Sequence, residues 1–356
     1  MLPLTTPPKK LCIVRLSALG DVTHAVPVLR AIQRFWPETQ ITWICARTEH
    51  RLLSVLNGVR FVVIDKKAGW RGYRGLRRQL ADERFDVMIQ MQTSARANLA
   101  GACVNADIKL GWDKARARDC HLLFMTHSIP ATKHEHQVQG HLSFARTLGL
   151  DADEPVWNFP ISEENAAFAN AKLPVDRRTL LISPCSGHPH RNWLADRYAA
   201  VADYAIDRLD MCVALTGGQS ELEASMGRAI EQSMANEAIN LIGKDTLPQS
   251  LALLARADIL LSPDSGPVHI ANAVGTPVVG LYACTWSKRS GPYNSLDLCV
   301  DKFAEAARQF RRKRPEDLRW GTRIEQPGVM ELILTDEVIE RLKVAVQGLD
   351  QESLPE

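Results

Sequence analysis

Short apolar, β-branched runs alternate with longer amphipathic stretches along the whole of this 356-residue chain. That is the pattern of β-α units that build parallel sheets. In the first part, runs at 11–15, 41–45, 61–64 and 87–91 read as strands. Helical sequence lies beside each, as at 28–35, where Leu29, Ile32 and Phe35 share one face. The pattern restarts at 180–183 and continues through 211–215, 240–242, 259–261, 278–282 and 296–300. Between the two series, residues 151–160 are acidic and interrupted by Pro155 and Pro160. A helix-like stretch follows at 162–171, which places a linker near 155–173. The predicted fold class is α/β, with one doubly wound domain over 1–160 and another over 173–335. The two are expected to face each other across a cleft, with ligands at the carboxyl ends of the strands. A C-terminal segment, 336–356, is expected to be a helix packing back toward the first domain, followed by a polar tail that frays.

Composition sharpens this picture in one respect. The formal net charge is only +2, yet up to Leu150 there are 22 Lys+Arg against 11 Asp+Glu, and beyond it 21 against 30. A basic half and an acidic half in one chain suggest that the two meet different partners, the first of them anionic. Eight scattered cysteines without C-x-x-C spacing read as reduced core thiols of a cytosolic protein. No run approaches the roughly 18 apolar residues of a membrane span, so the expectation is an unexported protein that at most touches a membrane surface.

Four loops can carry chemistry. After the first strand, Ser17-Ala-Leu-Gly-Asp-Val-Thr-His-Ala-Val-Pro27 holds Asp21. Pro27 belongs in a first helical turn, so the helix is expected to begin near His24 and leave Asp21 on the preceding loop. There its carboxylate serves either as a general base or as a helix cap. The loop 262–273 supplies Asp264 or Ser265 as a cap, Gly266 for close backbone approach, Pro267 for the first turn, and His269 as a further donor. Such a helix N-terminus suits a diphosphate, and an ordinary capped helix would look the same. At Thr216-Gly-Gly-Gln-Ser-Glu221, the pair Gly217 and Gly218 lets a ligand lie against the backbone. Glu221 can accept two hydrogen bonds from a ribose diol or simply favour the helix dipole. Finally, Ser186 and Arg191 in 183–193 can hold a diphosphate through a hydroxyl and a planar permanent cation. The H-x-H pairs His134/His136 and His188/His190 lack a third ligand at a familiar spacing, so no metal and no cofactor is expected. Neither G-x-G-x-x-G after the first strand nor a P-loop is present, against dehydrogenase and P-loop readings.

The charge split has a local source. Residues 66–84 contain Lys66, Lys67, Arg71, Arg74, Arg77, Arg78 and Arg84, interleaved with Trp70 and Tyr73; Lys109, Lys114, Arg116 and Arg118 add a second cluster. No nucleic-acid recognition module accompanies them. Anionic glycolipid headgroups fit the mixture of cations and interfacial aromatics better, with a solvated helix face as the bland alternative.

Taken in order, Leu-Gly-Asp-Val-Thr-His-Ala-Val-Pro (19–27), Ser-Pro-Cys-Ser with Arg-Asn-Trp (183–193), Thr-Gly-Gly-Gln-Ser-Glu (216–221) and Ser-Pro-Asp-Ser-Gly-Pro-Val-His (262–269) resemble the ADP-heptose:lipopolysaccharide heptosyltransferases. This is a glycosyltransferase group with the GT-B fold, two Rossmann-like domains, and the resemblance runs over about residues 10–345. It implies an enzyme, cytoplasmic and peripheral on the inner membrane, that moves heptose from ADP-heptose to the Kdo of the lipopolysaccharide inner core, Kdo-lipid A or a related acceptor. By that pattern Asp21 is the base, and Ser186, Arg191, Glu221, Asp264, Ser265, Gly266 and His269 bind the donor, with Thr216, Gly217 and Gly218 beside them. His24, Arg71, Arg74, Arg77 and Arg78 are assigned to the acceptor. The histidine and proline after Gly-Asp-Val are most like heptosyltransferase I. Two departures stand out: Arg191 occupies a position often held by lysine, and the usual Asp-Thr-Gly reads Asp-Ser-Gly. The segment 302–323, with Arg311-Arg-Lys-Arg314, falls outside the simplest family pattern. The alternatives are a GT-B enzyme using another nucleotide sugar and a non-catalytic regulator of polysaccharide synthesis.

Overall fold

The computed structural model describes residues 2–352, which divide into two compact units between Pro160 and Ile161. Of the tail after residue 346 that was expected to fray, residues 347–352 are helical and 353–356 lie outside the described residues.

The first unit is built on a six-stranded parallel sheet: β1 (Lys10–Val14), β2 (Gln40–Ala46), β3 (Arg60–Ile64), β4 (Phe85–Gln90), β5 (Ala106–Gly111) and β6 (His127–Ser128), in the order β3-β2-β1-β4-β5-β6. From Leu11 onward β1 is buried throughout, because it pairs on both edges and helices cover both faces. Toward the edges the strands become polar: β3 and β5 each expose part of their length. β5 and β6 are strands that the apolar pattern does not reveal, since Asp107 and Lys109 interrupt one and the other is only two residues long. The helix Val26–Phe35 buries Leu29 and Ile32 and leaves Phe35 38% exposed, so Phe35 does not share their core face.

The second unit repeats the plan with β7 (Thr179–Ile182), β8 (Cys212–Leu215), β9 (Ile239–Asn240), β10 (Ile259–Pro263), β11 (Val278–Tyr282) and β12 (Val300–Asp301), in the order β12-β11-β10-β7-β8-β9. Read from the other edge, this is the same order as in the first sheet. The expected strand at 296–300 is mostly a single 3-10 turn, Leu296–Leu298, followed by the short β12.

In each sheet the chain order reverses direction once, between β1 and β4 and between β7 and β10. In open α/β sheets such a switch point, outside the carboxyl ends of the strands, is where ligands bind. The segment 302–323 is an integral part of the second unit. Its helix Phe303–Arg311 buries Phe303, Ala306 and Ala307, Trp286 stacks on Phe303 at 5.4 Å, and Ile324 is fully buried in the core. The C-terminal helix Thr335–Glu352 places Val338, Leu342 and Ala345 in the same core. It also packs against the helix Ala195–Leu209 and against β11 of that unit.

Candidate active site

At the first switch point, β1 runs into a five-residue helix, Leu19–Thr23, and the chain breaks at His24 and Ala25 before the helix Val26–Phe35. Asp21 therefore lies inside a first helical turn, not on a loop ahead of a helix starting near His24. Pro27 starts the second helix, as a residue without an N–H can. Asp21 Oδ2 accepts from the Ala18 N–H at 3.1 Å and pairs with Arg15 Nη2 at 2.9 Å. The carboxylate is 35% exposed, so it caps and still reaches solvent. Arg15, only 9% exposed, also donates to the Met91 carbonyl just past β4. Gln92 Oε1 accepts from the backbone of Leu16 at 2.8 Å and of Ser17 at 3.2 Å. The residues leaving β4 thus hold the loop leaving β1. Neither Arg15 nor Gln92 was singled out by sequence; a polar residue directly after an apolar strand was the available signal.

Behind Asp21 lies a layer of rings. His24 is buried, with its ring 5.9 Å from His141 and 6.3 Å from His136. His141 Nδ1 donates to the Gln137 carbonyl at 2.7 Å, and burial, aided by the Arg15 charge, pushes its pKa down to about 3. Its ring is neutral at ordinary pH. Trp112 meets His141 edge-on at 5.3 Å, and the Arg116 guanidinium sits over its indole at 4.6 Å.

Arg71, Arg74, Arg77 and Arg78 lie on the helix Trp70–Gln79, which buries only Leu76. All four are exposed, and Trp70 at the start of the helix is 72% exposed. This helix follows β3, two strands from β1, so its N-terminal end lies at the same end of the sheet as Asp21.

At the second switch point, the loops after β7 and β10 converge. Ser186 is turned inward: its Oγ donates to the His188 carbonyl at 3.1 Å and its backbone N–H donates to Asn192 Oδ1 at 2.8 Å. Arg191 ends a single 3-10 turn and is 13% exposed. Its Nη1 is 3.6 Å from Asp264 Oδ2, while Nε and Nη2 donate to Glu325 Oε1 at 2.7 and 2.5 Å. Asp264 Oδ1 in turn lies 3.8 Å from His269 Nε2. The helix Gly266–Val274 starts at Ser265, whose Oγ bonds Ser262 Oγ at 2.9 Å and makes no cap, and Asp264 faces Arg191. Neither expected cap is made by a side chain, and Pro267 falls in the first turn as the sequence implied.

The loop after β8 carries Gly217 and Gly218. Glu223, not Glu221, enters it, accepting from the Gly218 N–H at 2.6 Å and forming a capping box with Ser220. A Cβ on Gly218 would stand 2.9 Å from Glu223 Oε2, so this glycine makes room for a side chain of its own protein. Glu221 is 82% exposed and pairs with Arg228 at 2.5 Å. Thr216 is buried, and Gly217 accepts from the Gly243 N–H at 3.0 Å. Nearby, burial raises the Asp245 carboxyl to about 6, with Glu223 adding to the effect. Among the described residues no three His, Cys, Asp or Glu side chains are grouped to hold a metal ion.

The sequence model of glycosyltransferase family 9 (heptosyltransferase) matches residues 73–319. The chain belongs to this family. It is 37% identical, over 95% of its length and 97% of the relative's, to the lipopolysaccharide core heptosyltransferase OpsX of Haemophilus influenzae. Lipopolysaccharide heptosyltransferase 1 of Salmonella typhimurium is 22% identical over 82% of this chain and 94% of its own, so OpsX is the nearer of the two. Among solved structures, Escherichia coli ADP-heptose lipopolysaccharide heptosyltransferase II superimposes with a TM-score of 0.72 at 20% identity, covering 97% of this chain and all of that one. Membership makes the protein a glycosyltransferase with the GT-B fold, which accounts for the repeated sheet order. Among the described residues of this family 9 member, no helix is long and apolar enough to cross a membrane.

Proposed function

We propose that the protein transfers a heptose from ADP-heptose to the Kdo of the lipopolysaccharide inner core by a single inverting displacement. The observation that carries this reading is the 37% identity, over nearly the whole chain, to a core heptosyltransferase. The acceptor hydroxyl gives its proton to Asp21 as its oxygen forms a bond to the anomeric carbon. The bond from that carbon to the diphosphate oxygen breaks, and ADP leaves with the electron pair. Negative charge grows on the leaving group, where Arg191 and the N–H groups opening the helix Gly266–Val274 meet it. Ser186, Ser265 and His269 are assigned to the diphosphate, and Thr216, Gly217, Gly218 and Glu221 to the nucleoside side of the donor.

The exposed arginines and Trp70 of the helix Trp70–Gln79 support an acceptor-facing role against anionic lipid headgroups. On this reading the protein works as a peripheral enzyme on the cytoplasmic face of the inner membrane. The deciding experiment assays ADP-heptose, UDP-sugars and GDP-sugars against Kdo-lipid A, following nucleotide release with and without acceptor. Acceptor-dependent release from ADP-heptose alone is expected. Equal turnover of a UDP- or GDP-sugar would refute the donor assignment.

A further inference from the structure

We propose that Glu325 is a positioning residue of the donor diphosphate site, fixing the plane of the Arg191 guanidinium. This rests on the donor assignment above.

Arg191 sits between two carboxylates, Glu325 on the Nε/Nη2 edge and Asp264 near Nη1. One cation between two anions offers a diphosphate little net attraction, so charge alone does not explain the arrangement. Direction does. A guanidinium has five N–H donors in one plane, and it grips phosphate best through two parallel bonds. A single oxygen, Glu325 Oε1, takes Nε and one Nη2 hydrogen. That leaves the Nη1/Nη2 edge as the remaining two-pronged face, with the guanidinium unable to turn away. Asp264, at 3.6 Å, is beyond hydrogen-bond length and leaves Nη1 available.

Glu325 is built to hold still. The residue before it, Ile324, is fully buried, and its N–H donates to the Cys284 carbonyl at 2.8 Å. Cys284 Sγ donates in turn to the His190 carbonyl at 3.1 Å, one residue before Arg191. Both members of the pair are therefore fastened to the same short stretch after β11. The segment 302–323, outside the simplest family pattern, leads directly to Ile324 and Glu325 and anchors them through Phe303, Ala306 and Ala307. A carboxylate so tethered suits a fixed strut rather than a gate that swings aside.

The test is calorimetric titration of the full chain with ADP and, separately, with adenosine. Removing the strut in Glu325→Ala should weaken ADP about tenfold, the equivalent of one charge-assisted hydrogen bond, while adenosine changes less than about twofold. Glu325→Gln keeps an acceptor for Nε and should fall between, which a merely structural role would not require. Arg191→Ala serves as the reference for losing the phosphate contact altogether. Unchanged or tighter ADP binding by Glu325→Ala overturns the proposal, the tighter result meaning that Glu325 only competes with phosphate. Equal loss of ADP and adenosine also overturns it, as general damage to the unit. If wild type binds no ADP, or Arg191→Ala binds it normally, the donor assignment itself fails and takes this proposal with it.

Discussion

Replacing Asp21 with asparagine separates its two possible duties. The carboxylate caps Ala18 at 3.1 Å and neutralises Arg15 at 2.9 Å. An asparagine oxygen still accepts from the Ala18 N–H, so the helix Leu19–Thr23 keeps its cap. What is lost in the fold is one charge-assisted bond to Arg15, about 1.5–3 kcal/mol at most, and less here because the carboxylate is a third exposed and Arg15 retains the Met91 carbonyl. Against a typical stability of about 5–15 kcal/mol, the variant stays folded. Catalysis has no such reserve, because an amide cannot take the acceptor's proton. Loss of a positioned base costs about 10²–10⁴ in rate, or about 2.7–5.4 kcal/mol of barrier. The assay is ADP release at saturating donor with Kdo-lipid A, alongside a thermal melt. If Asp21→Asn turns over at more than about a third of the wild-type rate, Asp21 is only a cap. Asp21→Ala would then show a lower Tm with its activity retained.

Three further outcomes follow from the same geometry. Changing Arg74, Arg77 and Arg78 together to glutamine should weaken binding to anionic vesicles at about 1 kcal/mol per residue, an effect that fades with salt, and leave ADP affinity unchanged; equal loss of both would detach the basic helix from the acceptor side. Asp245→Asn should stabilise the protein at pH 8 by about 3 kcal/mol at most, because a carboxyl raised to about 6 by burial disfavours the folded state once ionised. That gain should shrink to nothing as pH falls toward 4, and urea unfolding at several pH values would show a pH-independent effect if the reasoning is wrong. Gly111→Ala puts a Cβ 2.4 Å from His121 Nε2 and from Met125 Cγ, and His121 Nε2 accepts the Trp112 N–H at 3.0 Å. Destabilisation of about 1–3 kcal/mol is expected in denaturant unfolding, and a neutral result would show that the packing around β5 yields freely.

What could be read from the chain was whatever is local. Buried parallel strands are continuous apolar runs, so the central strands of both sheets stood out; β5 did not, because next to the short edge strand β6 it is partly exposed and carries Asp107 and Lys109. The loops after β1, β7, β8 and β10 were legible because turns and helix starts have residue preferences of their own. Partners distant in sequence were not. Arg191 and Glu325 are 134 residues apart, and Gln92 reaches Leu16 across 76. The capping box that joins Ser220 to Glu223 was likewise not read, although S-x-x-E is a local signature. Asp21 was misplaced by one turn because two short helices meet where Pro27 suggested a single start.

The helix Trp70–Gln79 is fastened to its unit by one buried side chain, Leu76. Tyr73 packs partly against the same core and Gly72 lies close to the Asp65 carbonyl, whereas Arg71, Arg74, Arg77 and Arg78 stand exposed, where substitutions cost the fold little. Those four positions can therefore change while both sheets and their crossover loops stay as they are. The charge on this face is thus separable from the architecture that carries it.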